Sequence, residues 1–551
     1  MQLSIKGAWI KQLVAEKHLR EDFLELLHWR SDEACVDVAA AKFSDAEIKA
    51  LRKYLEGLTN QKTRGLIQKV NAWMRLKASP DGVPITRLEQ LAAAVKRYVA
   101  TSAHKWLFRE SEDGVALPYY VASTDYTPST RDGGPATATI NLAYGWRNST
   151  DTLRLTFYSD DLRGKNTVVQ LLNARGYYLE TPGMVEDYRS SLAVYKNIQG
   201  CTGKQFLAYG TGRVSERFNT GWISLERDGY PSKVVMDDLS DEANGRESTR
   251  RSAVVSSAFW HEEDKPTQED DDGVIEVPQH PYVNVFNLQT HRFVSIHVSF
   301  LEAYQYDDKI AHKLVLPDDR KQLIGMLVAG SSQLMEDIVK GKTGGIIVIA
   351  VGPPGTGKTL TAQVFSEQIK QPLYEVQCSQ LGTDEKALEE ALSAVLARAT
   401  RWNAILLIDE ADVYIYERGG DIHQNAVVGV FLRVLENYRG VLFMTSNRST
   451  VIDDAILSRA TAFIQYEYPC PEDLRRIWRV LADNYLVEFT DAEIEELTVQ
   501  FQGISGRRVK ALLKLARLAA CHRNERVTLD LVRYVSQFLP DDGAKAAKTA
   551  C

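Results

Sequence analysis

Residues 352–359 read GPPGTGKT, a glycine-rich loop that ends in a lysine and a threonine. The preceding residues, 345–351, are apolar and rich in β-branched side chains, as in a buried strand, and the following residues have a helical pattern. A strand, a glycine loop and a helix together can bind phosphate. Glycines let backbone N–H groups turn toward the anion, and the helix N-terminus adds its positive dipole. The spacing therefore predicts a nucleoside triphosphate site.

Two side chains of this loop have specific expected roles. We expect the Lys358 amino group to reach the β- and γ-phosphates and the Thr359 hydroxyl to ligate Mg²⁺. The expected phosphate-binding residues are Gly352, Pro353, Pro354, Gly355, Thr356, Gly357, Lys358, Thr359 and Leu360.

Two later apolar runs end in polar side chains that suit phosphoryl transfer. Residues 404–408 lead into Asp409 and Glu410, and residues 440–446 lead into Asn447. At strand tips beside the phosphates, Asp409 would enter the Mg²⁺ shell and Glu410 would polarise the attacking water. The Asn447 amide both donates and accepts hydrogen bonds, so we expect it to hold that water or contact the γ-phosphate. Each feature alone also fits an ordinary strand end, and the order of the three strands favours the catalytic interpretation.

The composition is that of a soluble protein with several domains. The chain has 551 residues, 44% hydrophobic and 25% charged, and a net charge of -7, which argues against a nucleic-acid backbone as the main partner. Six scattered cysteines form no C-x-x-C pair, which favours reduced thiols in the cytoplasm. No signal peptide is evident, and the longest apolar run is shorter than the ~18 residues of a membrane span. We therefore expect a cytoplasmic protein that does not enter a membrane.

Changes in hydrophobic period predict five segments. Helical spacing near the start includes a capping box at Ser44 and Glu47, and a period of two follows from about Lys105. Strands and helices then alternate, as in a parallel sheet with crossover helices. The expected segments are a helical region at 1–100, an α+β domain at 101–310 with a mobile acidic loop near 237–279, an αβα core at 311–468, a helical unit at 469–540 and a disordered tail at 541–551.

Over roughly residues 314–539 these motifs resemble those of AAA+ ATPases. In that comparison 352–359 corresponds to Walker A, 405–410 to Walker B and Asn447 to sensor 1. Residues 453–459, DDAILSR, are similar to the arginine-finger segment, with Arg459 in the finger position. Residues 504–510, ISGRRVK, resemble sensor 2; Arg507 is the better match and Arg508 the alternative.

The resemblance implies an α/β fold, with a P-loop three-layer αβα core and a C-terminal helical lid, here preceded by a helical N-terminal segment and an α+β domain. It also implies ATP and Mg²⁺ as ligands and ATP sites at the subunit interfaces of a homo-oligomeric ring, usually a hexamer. Arg459 would then stabilise γ-phosphate charge in a neighbouring subunit. The alternative is a cation that only stabilises the C-terminus of its own helix. The whole chain resembles bacterial and fungal AAA-family ATPases with a long N-terminal region, which supplies no substrate.

One segment departs from the family pattern. AAA+ members that thread polypeptides carry an aromatic–hydrophobic–Gly loop after the second strand, whereas residues 378–383 read CSQLGT. In this the loop resembles that of the mitochondrial translocase that moves a folded iron–sulfur protein. Leu381 is the only large apolar side chain left to grip a chain, so we expect a wide pore or a mechanism without threading.

The sequence favours a ring-forming ATPase that remodels or moves a protein partner held by its N-terminal region. Under this hypothesis, removing residues 1 to about 300 should preserve nucleotide binding. A nucleic-acid motor, loader or defence effector is one alternative, but it would need a basic stretch with interleaved aromatics, which residues 378–383 and 418–424 lack. A nucleotide-gated assembly switch is another, and the catalytic carboxylate Glu410 argues against it.

Overall fold

A computed structural model describes most of the chain. The described residues are 2–27, 35–39, 42–58, 66–67, 70, 74, 85–129, 134–146, 149–164, 167–214, 221–237, 254–256, 274–307, 309–310, 314–330, 345–382, 384–416, 422–436, 438–447 and 452–540. The acidic run at 269–273 and the tail at 541–551 lie outside these ranges, as does most of the predicted mobile loop near 237–279.

The strands and helices are numbered in chain order. The strands are β1 (Gln2–Lys6), β2 (Cys35–Ala39), β3 (Trp106–Glu110), β4 (Ala116–Thr127), β5 (Thr137–Trp146), β6 (Ser149–Tyr158), β7 (Tyr177–Leu179), β8 (Gln205–Ala208), β9 (Thr211–Val214), β10 (Trp222–Ser224), β11 (Glu226–Arg227), β12 (Tyr230–Met236), β13 (Val254–Ser256), β14 (Val274–Glu276), β15 (Gln279–His280), β16 (Tyr282–Asn287), β17 (Arg292–His297), β18 (Leu301–Ala303), β19 (Ile346–Val351), β20 (Leu373–Gln377), β21 (Ile405–Asp409), β22 (Val441–Ser446) and β23 (Ala462–Gln465). The α-helices are α1 (Gly7–Ala15), α2 (Asp45–Glu56), α3 (Glu89–Val99), α4 (Val168–Ala174), α5 (Pro182–Ile198), α6 (Asp318–Gly330), α7 (Lys358–Ile369), α8 (Cys378–Leu381), α9 (Glu385–Arg401), α10 (Asp412–Ile415), α11 (Ile422–Leu435), α12 (Asp454–Leu457), α13 (Pro471–Asn484), α14 (Asp491–Gln500), α15 (Gly506–Arg523) and α16 (Leu529–Ser536). Short 3₁₀ helices occupy Glu21–Leu27, Ser159–Leu162 and Val298–Phe300.

The N-terminal region contains a small sheet as well as helices. The prediction of helix throughout residues 1–100 was wrong here, because β1 and β2 form an antiparallel pair. Leu3 and Ile5 are fully buried on one face of β1, an alternation too short to stand out in the sequence. Helix α2 begins with the predicted capping box, in which Ser44 accepts from the Glu47 amide and Glu47 accepts from the Ser44 amide.

Two larger sheets follow. The first has the order β15-β5-β4-β3-β7 with β6 paired to β5, and it packs on α3 and α4. The second is antiparallel, with the order β10-β9-β17-β16-β12-β8-β18 and β11 paired to β12. We call this second sheet the docking sheet, because it packs against the αβα core described below.

The core is a parallel sheet of order β20-β21-β22-β19-β23 between two helical layers. Both faces of β19 are buried: Ile347 and Ile349 face the layer of α9 and α11, while Val348 and Ala350 face α7. This arrangement confirms the predicted αβα core. Since all five strands are parallel, their carboxyl ends meet at one edge, where side chains from different strands converge.

Helices α13 to α16 form a separate helical unit after the core. Its centre contains the buried side chains of Trp478, Leu497 and Leu512. A capping box is present at the start of α14, where Thr490 accepts from the Glu493 amide. No helix in the described part of the chain is long and apolar enough to cross a membrane.

The docking sheet and the core share a continuous apolar contact, which we call the seam. Phe286 of β16 lies 4.9 Å from the Trp402 ring and 5.5 Å from the Tyr374 ring, measured between centroids. Fully buried Asp237, directly after β12, accepts from the Trp402 indole nitrogen at 2.9 Å and pairs with Arg401. A buried carboxylate held by two donors fixes the end of α9 against the sheet.

A second contact of the seam lies on α7, the helix that follows the glycine loop. Glu367 accepts from the Tyr304 hydroxyl at 2.6 Å and from the Asp307 amide at 3.0 Å. Lys233 of β12 donates to the same tyrosine oxygen at 2.7 Å. The seam therefore holds the C-terminal ends of both α7 and α9.

Candidate nucleotide-binding site

The backbone of the glycine loop requires glycine at three positions, Gly352, Gly355 and Gly357, all with positive φ. Gly357 has φ 105° where it caps the N-terminus of α7, a region that residues with side chains rarely adopt. Gly355 has φ 79°, and a β-carbon there would lie 2.7 Å from the β-carbon of Arg507. The loop thus exposes the N-terminus of α7 and lets the helical unit approach closely.

Lys358 lies at the first position of α7 with its amino group folded back over the loop. It donates to the carbonyl oxygens of Gly352 and Pro353, both at 2.8 Å, and it is 6% exposed. Burial lowers the pKa of Lys358 to about 8, against the opposing effect of Asp409 and with an added lowering from Arg507. A phosphate beside this amino group would favour its charged form.

Thr359 and Asp409 bring two oxygen donors together. The Thr359 hydroxyl donates to Asp409 Oδ1 at 3.0 Å, although the two residues are 50 positions apart. Thr445 of β22 also donates to Asp409 Oδ1, at 2.5 Å. Asp409 ends β21 beside the loop, as expected, and its carboxylate is oriented by two hydroxyls.

Glu410 follows directly and has a left-handed backbone, with φ 55°. Its amide donates to Thr445 Oγ1 at 3.0 Å, and its carbonyl accepts from the Cys378 thiol at 2.9 Å. Burial, together with Asp412 and the nearby carboxylates, raises the pKa of Cys378 to about 12, so the thiol keeps its proton at neutral pH. The Glu410 side chain is exposed, while its backbone is held on both sides.

Asn447 and Arg507 lie on either side of the loop. Asn447 follows β22 directly and is exposed, and the neighbouring Ser446 carbonyl accepts from the Gly352 amide at 3.2 Å. The Arg507 amide contacts the Gly355 carbonyl at 3.3 Å. Arg508 instead donates to the Leu539 carbonyl at 3.0 Å, so its guanidinium is directed to the end of the helical unit. This geometry favours Arg507 for a role near phosphate.

Arg459 is not brought to this cluster within one chain. Its guanidinium donates to the Ala455 carbonyl at 2.9 Å and pairs with Glu436. The first contact is the one expected of a cation at the C-terminus of its own helix. A role at a neighbouring subunit would require it to exchange the Glu436 contact for a phosphate.

The residues present fit ATP with Mg²⁺. The hydroxyl of Thr359 and the carboxylate of Asp409 are hard oxygen donors, which Mg²⁺ prefers. The glycine loop and the N-terminus of α7 supply amide donors for phosphate oxygens. The Thr445 hydroxyl contacts both the Asp409 carboxylate and the Glu410 amide. In this arrangement Asp409 would ligate the ion and Glu410 would face a water.

Sequence reasoning missed three side chains that build the site. Thr445 is a hydroxyl in an otherwise apolar strand, two residues before Asn447, and this position is the signal that would have found it. Cys378 and Tyr414 gave no such signal. The Tyr414 hydroxyl donates to the carbonyls of Cys378 and Gly382, at 3.0 and 2.7 Å, and thereby fixes residues 378–382 as one helical turn.

The structure corrects the interpretation of Leu381. The sequence suggested a short loop with Leu381 available to grip a chain, but this side chain is 2% exposed and packs in the core with Leu388. An apolar residue followed by glycine can close a helical turn as well as form a loop, and the spacing does not distinguish the two.

Comparisons with known proteins find similarity over part of the chain. Residues 348–468 match the family described as "ATPase family associated with various cellular activities (AAA)". The ATP-dependent zinc metalloprotease FtsH of Malacoplasma penetrans (strain HF-2) is 29% identical over 196 residues, 32% of this chain and 23% of that protein. A mitochondrial sorting homolog of Caenorhabditis elegans is 27% identical over 203 residues, 35% of this chain and 58% of that protein. The solved FIGL-1 AAA domain in complex with ADP is 20% identical, with a TM-score of 0.35, and the match covers 43% of this chain and 87% of that one.

The similarity is partial on both sides. The chain spans about a quarter of the first relative and under three fifths of the second. The family match includes the glycine loop, β21 with its two carboxylates, and β22. Residues 348–468 therefore match an AAA ATPase domain, and this part of the chain contains the glycine loop and the αβα core.

Proposed function

We propose that this chain hydrolyses ATP within a homo-oligomeric ring and uses the energy to remodel or move a protein partner recruited by its N-terminal region. The observation that carries the proposal is the convergence of Lys358, Thr359, Asp409 and Glu410 at one edge of the parallel sheet. The Glu410 carboxylate is the group that would distinguish hydrolysis from binding alone, and the backbone of this residue is held at its amide and its carbonyl.

The reaction follows from what each side chain is placed to do. Lys358 would bind phosphate oxygens, and Thr359 and Asp409 would hold Mg²⁺, which would neutralise charge on the transferred group. Glu410 accepts a hydrogen bond from the attacking water and orients it toward the γ-phosphate, while Asn447 holds the water from the neighbouring strand. Arg507 adds positive charge on the side of the helical unit.

The structure of residues 378–382 supports work without threading. Leu381 is buried and the Tyr414 hydroxyl fixes the turn, so this segment presents no large apolar side chain to a substrate. The seam offers another route. It ties the docking sheet to the ends of α7 and α9, whose other ends lie near the nucleotide site, so motion of the core would reach the N-terminal region directly.

Ring assembly is tested by mixing two inactive variants. Arg459→Ala removes the proposed finger and Lys358→Ala removes the proposed phosphate ligand, so a mixed interface can pair an intact site with an intact arginine. We expect ATP hydrolysis to reappear on mixing and to depend on protein concentration. Activity that never exceeds the sum of the two separate variants would overturn the shared site.

Partner recruitment is tested by capture with full-length Glu410→Gln, which should bind ATP without releasing it as product. We expect proteins retained with ATP on Glu410→Gln to be absent from Lys358→Ala. Glu390→Gln, an exposed carboxylate on α9, is the matched control and should behave as the wild type. Retention of nucleic acid in place of protein would favour the motor alternative and contradict the proposal.

A further inference from the structure

A cavity of about 900 Å³ lies where three parts of the N-terminal region meet, and no residue of the glycine loop is among its described lining residues. Leu66 and Ile67 of the first unit form one wall, and β4 with its preceding turn forms another. The docking sheet and the following 3₁₀ helix, Val298–Phe300, form the third, and α5 runs along the mouth. The volume falls in the range of ligand-binding clefts.

The floor of the cavity is apolar and its mouth is open. Leu117, Met184 and Phe300 line it and are at most 8% exposed. Asp187 and Val194, both on α5, line it as well and are exposed to solvent. A side chain that projects from another protein could therefore enter past α5 and reach the buried apolar surface.

The charge of the lining is one-sided. Four carboxylates contribute to it, Glu110, Asp113, Asp187 and Glu226, and none of the lining residues that the structure describes is a lysine or an arginine. His297 is also in the wall, and burial lowers its pKa to about 3, so it adds no positive charge at neutral pH. The field inside the cavity therefore favours a cation.

One of these carboxylates is held in place by the fold. Asp113 accepts from the Tyr282 hydroxyl at 2.6 Å, from the Ser111 hydroxyl, and from the Val115 amide at 3.3 Å. Tyr282 is 3% exposed and belongs to β16 of the docking sheet. Asp113 is thus held between the turn that precedes β4 and the docking sheet, whereas Asp187 is exposed on α5.

We propose that this cavity binds a lysine or arginine side chain of the partner protein together with an adjacent apolar residue. The proposal rests on the proposed function, in which the N-terminal region recruits a protein. The carboxylates would pair with the cation, and the floor would take the apolar neighbour; many small polycations would lack a group for that floor. Because β16 contributes both Tyr282 here and Phe286 at the seam, an occupied cavity is connected to the ATPase core through one strand.

The test uses the full-length protein without nucleotide on an array of random hexapeptides. We expect retained peptides to be enriched in lysine or arginine next to leucine, isoleucine or phenylalanine. The double variant Asp187→Asn, Glu226→Gln should lose at least about tenfold of that signal, since each change removes charge and keeps the shape. Glu186→Gln, the neighbouring exposed position on α5 outside the cavity, is the matched control and should keep the signal.

Three results would overturn the proposal. The first is an absence of such enrichment. The second is equal retention of peptides by a double variant that keeps the wild-type melting temperature. The third is binding of spermidine to the cavity without displacement of any peptide. ATP hydrolysis by the wild-type protein is measured separately. Peptide binding without ATP hydrolysis would support the cavity assignment and contradict the ATPase proposal. ATP hydrolysis without peptide enrichment would support the ATPase proposal and contradict the cavity assignment.

Discussion

The nucleotide-binding site and the seam both depend on carboxylates, but the residues that form them are separated by very different distances along the sequence. Lys358 and Thr359 are adjacent, and parallel strand register brings Asp409 to them. In the seam, Asp237 meets Arg401 and Trp402 across 164 and 165 positions, with no local pattern to announce the contact. The residues of the nucleotide-binding site belong to motifs that can be recognised in short stretches of sequence, whereas the contacts that position the N-terminal region do not.

The two regions nevertheless share helices. Helix α7 begins at Lys358 in the site and carries Glu367, which the docking sheet holds through Tyr304. Removing residues 1 to about 300 would therefore take away Asp237 and Phe286 and uncover the apolar surface of Trp402. The expectation that such a deletion preserves nucleotide binding needs revision, because the deleted part helps to stabilise the core.

The largest expected effect is the loss of stability caused by Trp402→Ala in the seam. The side chain is 1% exposed and contacts both Phe286 and Asp237, so we expect a loss of about 3–5 kcal/mol in the free energy of unfolding. Urea denaturation followed by circular dichroism measures it. Tyr230→Ala, at a tyrosine that is 76% exposed, is the control and should change little. A loss below about 1 kcal/mol would mean that the seam does not tie the regions together.

Leu381→Ala should act next most strongly, and on stability. Truncating this buried leucine should cost about 2–4 kcal/mol. Leu518→Ala, on an exposed face of α15 where the leucine is 60% exposed, should be nearly neutral in the same denaturation experiment. Unchanged stability combined with loss of work on a partner would instead assign Leu381 to substrate contact.

Thr445→Val tests the role of the Thr445 hydroxyl in the nucleotide-binding site. It removes the hydroxyl that orients Asp409 and Glu410, and a hydrogen bond to a charged group contributes about 1.5–3 kcal/mol. We expect turnover to fall roughly 10- to 100-fold with little change in ATP affinity, and Thr445→Ser to restore it. Thr498→Val, at a buried threonine of α14, is the control. Equal impairment by Thr445→Ser would show that the hydroxyl is not the cause.

The smallest effect is a pH dependence of ATP binding. With a pKa of about 8, Lys358 is charged below that pH and loses its proton above it, while bound phosphate favours the charged form. Affinity should therefore be level below pH 8 and about tenfold weaker at pH 9, as titration of one group predicts. Lys358→Arg stays charged throughout this range and should show no such slope in equilibrium binding. A wild-type affinity that rises above pH 8 would contradict the assignment.

The sequence was sufficient for the αβα core, and it placed Lys358, Thr359 and Asp409 close together, because glycine spacing and strand ends are local features. It was insufficient where the contact is distant or the element short. The β1–β2 pair joins residues more than 28 positions apart in five-residue strands, and Leu381 changes from loop to core through Tyr414, which lies 32 positions from Gly382. Thr445 was within reach, since a hydroxyl in an apolar strand is visible in the sequence.

The most direct measurement of the central claim compares ATP binding and ATP turnover in full-length Glu410→Gln. The amide cannot accept the proton of the attacking water, but it leaves Lys358, Thr359 and Asp409 in place. We predict near wild-type ATP affinity and a turnover reduced by at least about 100-fold, within the range for a positioned base. Turnover close to that of the wild type would contradict the account, because Glu410, whose backbone is held by Thr445 and Cys378, would then not be the catalytic group.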